Sequence, residues 1–496
     1  MPQATETLFT RRLLAQPGAE SARRNVRIEI SAGSIATVEA AEALAPAERA
    51  APDHLAMPAL ADAHDHGRGL KYLAYGGSDR PLEAWLPSIY FQPEVDPYLS
   101  ALLAMARLAR AGVGAAVHCH IVNRPECFED EIRAVARAAD DLGIRLALAV
   151  PMRDRNLLAY GEDDDLLSLL SPEDRAEVER LWRQPPLPAR EQLARVDRLA
   201  AEVETELVEV LYSPVGVQWA SDELLKLVAE ASARTGRRVH MHFLETRYQR
   251  EWADAAYPEG VVGFLDEIDL LSPRLTLAHG VWLRPDEMAC LAEREVIVSV
   301  NTCSNLRLRS GIAPVREFLA KSVPFAFGVD ALALDDDDDA LRDLKLAYLL
   351  HNGPGFDETL STAALFHAAI GVGGRAVTGK SGFGALRPGA PADLLIIDYG
   401  AMARDIVDGL SDEVAVLLAR GNSRFVHTLY VAGRKVVDAG RVVGLDIEAL
   451  EAELTRQTLE GGALLHGIRP LVGRYQDALM RFYSDQRHKR RKISGR

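Results

Sequence analysis

The chain has 496 residues, 48% hydrophobic and 26% charged, with a formal net charge of −15. That acidic balance argues against a nucleic-acid partner, and no run approaches the roughly 20 apolar residues needed to span a membrane. Four scattered cysteines (Cys119, Cys127, Cys290, Cys303) without a CxxC spacing, and an N-terminus without the apolar stretch of a signal peptide, point to a reduced, cytoplasmic protein rather than a disulfide framework.

Residues 1–56 read as short strands and turns. Asn25–Ile30 alternates with period two, Ser31–Ser34 turns, and Ile35–Val38 runs back as a hairpin. These strands are too few to close a core, so the unit needs a partner from elsewhere. From Met57 the pattern changes. Apolar runs at 57–63, 113–118, 144–151, 208–217, 237–242, 274–279, 295–300 and 324–329 alternate with helical stretches such as Ser100–Ala111, Glu129–Leu142, Asp222–Thr235 and Pro285–Arg294. This pattern predicts a closed parallel barrel with helices outside, with an open doubly wound sheet as the rival; the strand count and the polar residues at strand ends favour the barrel.

Two connections are too long for simple loops. One runs from Gly67 to about residue 97 and carries Tyr72, Tyr75, Trp85, Tyr90 and Phe91; the other runs from Met152 to about residue 190. Both are expected to be lids or binding loops, with local packing as the plain alternative for the aromatics. The acids Asp335–Asp339 read as favourable charges at a helix N-terminus, because a calcium loop needs interleaved spacers and a glycine. Strand patterns return at Asp393–Asp398, then Val426–Val431 and Lys435–Val437 across the turn Ala432-Gly433-Arg434. The expected organisation is a composite β domain from 1–56 and 385–445, a barrel over 57–384, and a C-terminal part over 446–496. The last is read as a helix over 447–483 and a solvated, frayed basic tail from Arg487 to Lys492.

The chemistry gathers at the strand ends. The first barrel strand ends in His64-Asp65-His66, and alternation sends both imidazoles to one side with Asp65 on the other. The fifth ends in His240-Met241-His242 with Glu245 three residues on, the sixth in His279, and the eighth in Asp330. In a barrel these all meet at the C-terminal mouth. His64, His66, His242 and Asp330 then offer three nitrogens and one oxygen to a divalent metal, with a position left for water, and such a metal makes hydroxide available near neutral pH. Glu245 is placed to shuttle a proton, and His279 to orient the hydroxide or stabilise the adduct. Each residue alone reads as well as a packed histidine or a turn aspartate; the joint occurrence carries the inference. His118 and His120 share a face at the end of the second strand, and His120 is a candidate substrate contact. Gln218 and Trp219 after the fourth strand could read and stack on a ring. Arg68 and Lys71 could meet an anionic group or pair with the protein's own carboxylates. Ser304 and Asn305 are placed to support the pocket or the fold.

The motifs PALADAHDH, VHMHFLET, LAHGVWL, VSVNTCSNLRLRSGIAPV, FGVD, GALRPGAPADLLIID and VAGRKVV occur in this order over about residues 6 to 445. In them the chain resembles the amidohydrolase superfamily, within it the cytosine deaminase and triazine-hydrolase-like group. The resemblance implies a (β/α)8 TIM barrel with a β-sandwich built from both chain ends, and one metal ion, zinc first and iron second. It implies hydrolysis of C–N bonds in cyclic amidines, a small heterocyclic substrate and a homodimer. It matches His64, His66, His242 and Asp330 to the metal ligands, Glu245 to the proton shuttle and His279 to the histidine beside the hydroxide. Two departures stand out. Val300 precedes Asn301 where the family often has histidine, and no lysine ends strand four, which favours one metal over two. The expected activity is deamination of a pterin, purine, pyrimidine or triazine. Hydrolysis of a cyclic amide or a carbon–halogen bond is the alternative. A non-catalytic scaffold is remote, because every ligand position is filled.

Overall fold

The structure, a computed structural model, describes residues 5–122, 124–465 and 467–490. The N-terminal segment supplies β1 (Glu6–Leu13), β2 (Arg23–Ser31), β3 (Ser34–Ala40) and β4 (His54–Pro58). Eight strands then alternate with helices: β5 (Leu60–Asp65), β6 (Val113–Cys119), β7 (Arg145–Met152), β8 (Val208–Pro214), β9 (Val239–Phe243), β10 (Leu275–His279), β11 (Ile297–Val300) and β12 (Phe325–Phe327). Four more return near the C-terminus: β13 (Leu394–Asp398), β14 (Val426–Val431), β15 (Arg434–Asp438) and β16 (Arg441–Val442).

Strands β5 to β12 pair in parallel and in sequence order. Strands covered on both faces read as unbroken apolar runs, which is why these segments carry Val, Ile, Leu and Ala rather than strict alternation. The register sets His242 beside Ala278 and Asp65 beside His118, bringing the polar strand ends to one mouth. At the seam the backbone N–H of Asp330 donates to the carbonyl of His64 at 2.9 Å, and that of Val329 to the Asp62 carboxylate at 3.2 Å. This is the (β/α)8 barrel.

The other strands form one sheet in the order β16-β15-β14-β13-β4-β1-β2-β3, antiparallel except for β1 against β4. β2 alternates: Val26, Ile28 and Ile30 are buried against Leu394 and Ile396, while the residues between them are more exposed. Both chain ends thus complete one apolar layer that neither could close alone. The run over 57–63, read as a single strand, is divided. Met57 and Pro58 end β4 in the terminal sheet, opposite Leu395 and Leu394, and the barrel strand starts only at Leu60.

Arg12 ties the two ends of the chain together. Its buried guanidinium meets Asp53 at 2.9 Å, Glu413 at 2.8 Å and Asp408 at 3.0 Å. Removing one partner of a buried charge cluster leaves the other uncompensated. Arg12→Met is expected to lower unfolding stability by about 1–3 kcal/mol in denaturant titrations, through loss of the charged bonds to Asp53 and Glu413, while Arg24 still meets Glu413 at 2.8 Å.

The C-terminal part departs from expectation twice. The helix read over 447–483 is two helices, Ile447–Leu465 and Arg469–Ser484, because Pro470 opens a new helix and cannot continue an old one. The tail is also not frayed where it is described. Arg487–Lys489 forms a turn, and His488 is 1% exposed, bonded to Glu251 at 2.8 Å and packed on Tyr248 and Tyr483. Arg491 and Lys492 lie outside the described residues. Helix Arg469–Ser484 lies across both long connections. Gln476 donates to the carbonyl of Ala84 (2.8 Å), Tyr475 to that of Leu158 (2.9 Å), and Arg474 pairs with Asp174 (2.7 Å). Among the described residues no helix is long and apolar enough to cross a membrane.

Candidate metal centre and active site

His64, His66, His242 and Asp330 converge at the barrel mouth. Asp330 Oδ1 lies 3.2 Å from His64 Nε2 and 3.3 Å from His66 Nε2, and His66 Nε2 lies 3.3 Å from His242 Nε2. Metal–nitrogen bonds of 2.0–2.1 Å in a tetrahedron require ligand atoms about 3.3 Å apart. Buried donors at this spacing, with His64 Nε2 bonded to no protein group, fit a divalent ion.

The surrounding backbone sets the tautomers. His66 Nδ1 donates to the carbonyl of Cys119 at 2.7 Å and His242 Nδ1 to that of Val215 at 2.9 Å, leaving each Nε2 lone pair facing inward. Burial pushes His64 and His66 well below the ordinary histidine range and His242 down to about 4, so these imidazoles are neutral, as ligands must be. Cys119 Sγ also lies within reach of His64 and His242. Burial raises its thiol to about 12, and it is its carbonyl that orients His66.

Further residues hold these side chains in place. His240 Nε2 stands 2.7 Å from His64 Nδ1 and the two rings stack, with burial pushing His240 down to about 3. Asp62 accepts from the backbone N–H of His64 at 3.1 Å as well as from Val329 across the seam. The carboxylate of Asp65 points away from the cluster, as strand alternation requires, and accepts from the N–H groups of Gly67 and Ala331. Gly328 has no room for a side chain: a Cβ there would come within 2.6 Å of Asn301 Oδ1 and 2.7 Å of the His64 carbonyl. His279 and Asp330 hold left-handed backbone conformations, φ 75° and 59°, the kind of local strain that gathers at functional sites. His240→Phe is expected to weaken metal binding by about 10–100-fold in chelator competition, because it removes the partner that orients His64.

Glu245 and His279 face this cluster. His279 Nε2 is 3.7 Å from Glu245 Oε2 and 3.9 Å from Asp330 Oδ2. Its Nδ1 meets Asn305 Oδ1 at 2.9 Å and Asn301 Nδ2 at 3.2 Å, so Asn305 supports the site, as does the asparagine found where the family often has a preceding histidine. Ser310 donates to Glu245 Oε1 at 2.9 Å, and burial raises the Glu245 pKa; a bound cation would oppose that shift.

A cavity of about 630 Å³ opens from His66, His242, Glu245, His279 and Asp330. Arg68 and Trp219 line it. The Arg68 guanidinium lies 4.7 Å over Trp85 and its Nη1 has no partner, and Trp219 packs edge-on against Tyr160. His120 also lines it, but Glu131 at 3.0 Å and His118 at 3.4 Å engage its two nitrogens. Gln218 does not reach the cavity. Its side chain is fully buried without a partner, and its carbonyl accepts from Asn156 at 2.6 Å. The residue is drawn under the turn after β8, beside Gly216, so following the strand end does not bring it into the cavity. Lys71 is equally withdrawn, paired with buried Asp338 at 2.5 Å, while Asp339 caps the helix Ala340–Asn352. Of the loop aromatics, Trp85 and Tyr90 line the cavity, whereas Tyr72 and Tyr75 pack against Trp85 and Phe91 respectively.

The sequence reading missed Glu83 and Arg153, both at the cavity wall. Glu83 accepts from Thr246 at 2.5 Å, and burial lifts it to about 7. Both sit in the long connections, where no periodicity announces which side chains turn inward. Tyr475, Leu479 and Tyr483 of the C-terminal helix complete the wall, and nothing in their helical pattern marks them out.

Over 393 residues the chain is 28% identical to a 5'-deoxyadenosine deaminase of Methanopyrus kandleri, covering 79% of this chain and 83% of that one. It is 28% identical over 425 residues to an 8-oxoguanine deaminase of Pseudomonas aeruginosa, covering 84% and 88%. The fold is similar to that of an atrazine chlorohydrolase from Arthrobacter aurescens solved with zinc, with a TM-score of 0.73 and 22% identity over 90% of this chain and 98% of the other. Residues 55–436 match the model of the amidohydrolase family, and the chain belongs to that family.

Proposed function

We propose that the protein is a metal-dependent aminohydrolase that deaminates an aminated heterocycle of the purine type, with zinc held by His64, His66, His242 and Asp330. The observation that carries this reading is the pairing of that ligand set with Glu245 and His279 on its open side. The purine class rests on the names of the two relatives, both deaminases of purine compounds.

The ion supplies Lewis acidity, lowering the pKa of water toward neutrality. The side chains do the remainder. Glu245 takes the proton of the attacking water at Oε2, hands it to the ring nitrogen, then transfers the second proton to the departing amine. Ser310 fixes the other oxygen of Glu245, so the carboxylate turns only one face to the substrate. His279, held by Asn305, presents Nε2 between Glu245 and Asp330 and stabilises the charge that develops on the tetrahedral adduct. The C–N bond then breaks, ammonia leaves and the ring keeps a carbonyl. Arg68 and Trp219 are the ring-side contacts.

The test is ammonia release by zinc-loaded protein across aminated purines, pterins, pyrimidines and triazines. Ammonia from a purine is the expected result. Chloride release or ring opening without ammonia would transfer the same site to halide or cyclic-amide hydrolysis.

A further inference from the structure

The cavity is larger than a bare base requires; its volume of about 630 Å³ is of the size that encloses a drug-sized ligand. It runs from the ligand cluster to the C-terminal helix, where Tyr475, Leu479 and Tyr483 are 1%, 3% and 5% exposed. That helix is no loose appendage. Besides the bonds of Gln476, Tyr475 and Arg474 to the two long connections, the hydroxyl of Tyr483 accepts from the backbone N–H of Tyr160 at 3.1 Å. Just beyond its C-terminal end, His488 is locked to Glu251. Under the helix the wall is largely aromatic, and Arg153 is one of its polar side chains. Arg153 lies 5.6 Å from the ring of Trp219, spends Nη2 on the carbonyls of Asn156 and Leu157, leaves Nε without a partner, and has no ion-pair partner among the described residues.

We propose that helix Arg469–Ser484 is a substrate-binding element that closes a second lobe of the active site. In this reading Tyr475 and Leu479 determine specificity for heterocycles carrying a flat or apolar substituent, with Arg153 ready for an acceptor oxygen on it. The inference rests on the aminohydrolase reading for the ring end of the cavity only. Flat groups stack on aromatic walls and apolar area gains from enclosure, so an extension into the lobe adds affinity that a bare base cannot obtain.

The experiment compares adenine, adenosine and 9-benzyladenine on zinc-loaded Glu245→Gln protein, with Kd read from quenching of tryptophan fluorescence, and on zinc-loaded wild type, with ammonia read as kcat/KM. 9-Benzyladenine is expected to bind ten-fold or more tighter than adenine. Leu479→Trp, which fills the lobe, is expected to cut that preference at least ten-fold with metal still at one equivalent. Adenine binding with no gain from the benzyl group, or a preference indifferent to Leu479→Trp, overturns the proposal. Silence of all three purines, with ammonia released from another ring, overturns the purine reading instead. The bare and benzylated forms of that other ring then decide the lobe by the same comparison.

Discussion

Glu245→Gln in zinc-loaded protein is expected to lower kcat for ammonia release by about 10²–10⁴-fold, the range over which a positioned general acid–base acts. The substitution preserves shape. Ser310 can donate to a glutamine oxygen as it does to Glu245 Oε1, and the backbone N–H of Glu245 keeps its bond to Gln249. What is lost is an oxygen that accepts and returns a proton 3.7 Å from His279. Metal content should therefore remain at one equivalent by elemental analysis and the thermal midpoint should hold, which separates lost chemistry from lost structure. A variant that retains kcat within three-fold of wild type would sink the assignment of Glu245 as the shuttle and leave the metal centre standing.

The second large effect is expected at Asp330. Its Oδ1 is the point shared by His64 and His66, and among the four converging donors it is the one that carries charge. Asp330→Asn keeps a side chain of the same shape that also tolerates the left-handed backbone at φ 59°, so the change removes charge and leaves the turn intact. Second-sphere partners already contribute about 10–100-fold to metal affinity, and loss of a ligand should exceed that. Dialysis against a chelator should strip zinc from the variant under conditions where the wild type retains it. The stripped variant should melt with metal-free wild type. Stoichiometric zinc in the variant after such dialysis would refute the ligand set.

The six residues of the centre were legible because each is a polar residue at the end of an apolar run. A parallel strand buried on both faces excludes charge along its length, so His64, His66, His242, His279 and Asp330 stand out where the run stops. Glu245, three residues past His242, follows the same logic. The return of strand patterns near 390 likewise announced a partner for the N-terminal hairpin. The break between β4 and β5 escaped, because Met57 to Ala63 is uniformly apolar and only pairing shows that Pro58 faces Leu394 while Leu60 faces Val113. His240 was visible as a residue and invisible as a support for His64, since a 2.7 Å contact between strands β5 and β9 has no signature in either strand alone.

What the sequence by itself determined is therefore the barrel, the terminal sheet and the identity of the residues that converge at the barrel mouth, all of which follow from local periodicity and from where polarity interrupts it. The tertiary structure alone decided which further side chains line the cavity. Arg153, Glu83 and Tyr475 lie in two long connections and a distant helix. Their burial arises from hydrogen bonds such as Tyr475 to Leu158 and Gln476 to Ala84, between residues more than 300 positions apart. Periodicity reports only what a segment does with its own faces. A pocket wall assembled from three separate segments depends on how those faces meet, and that is settled by the packing of the whole chain.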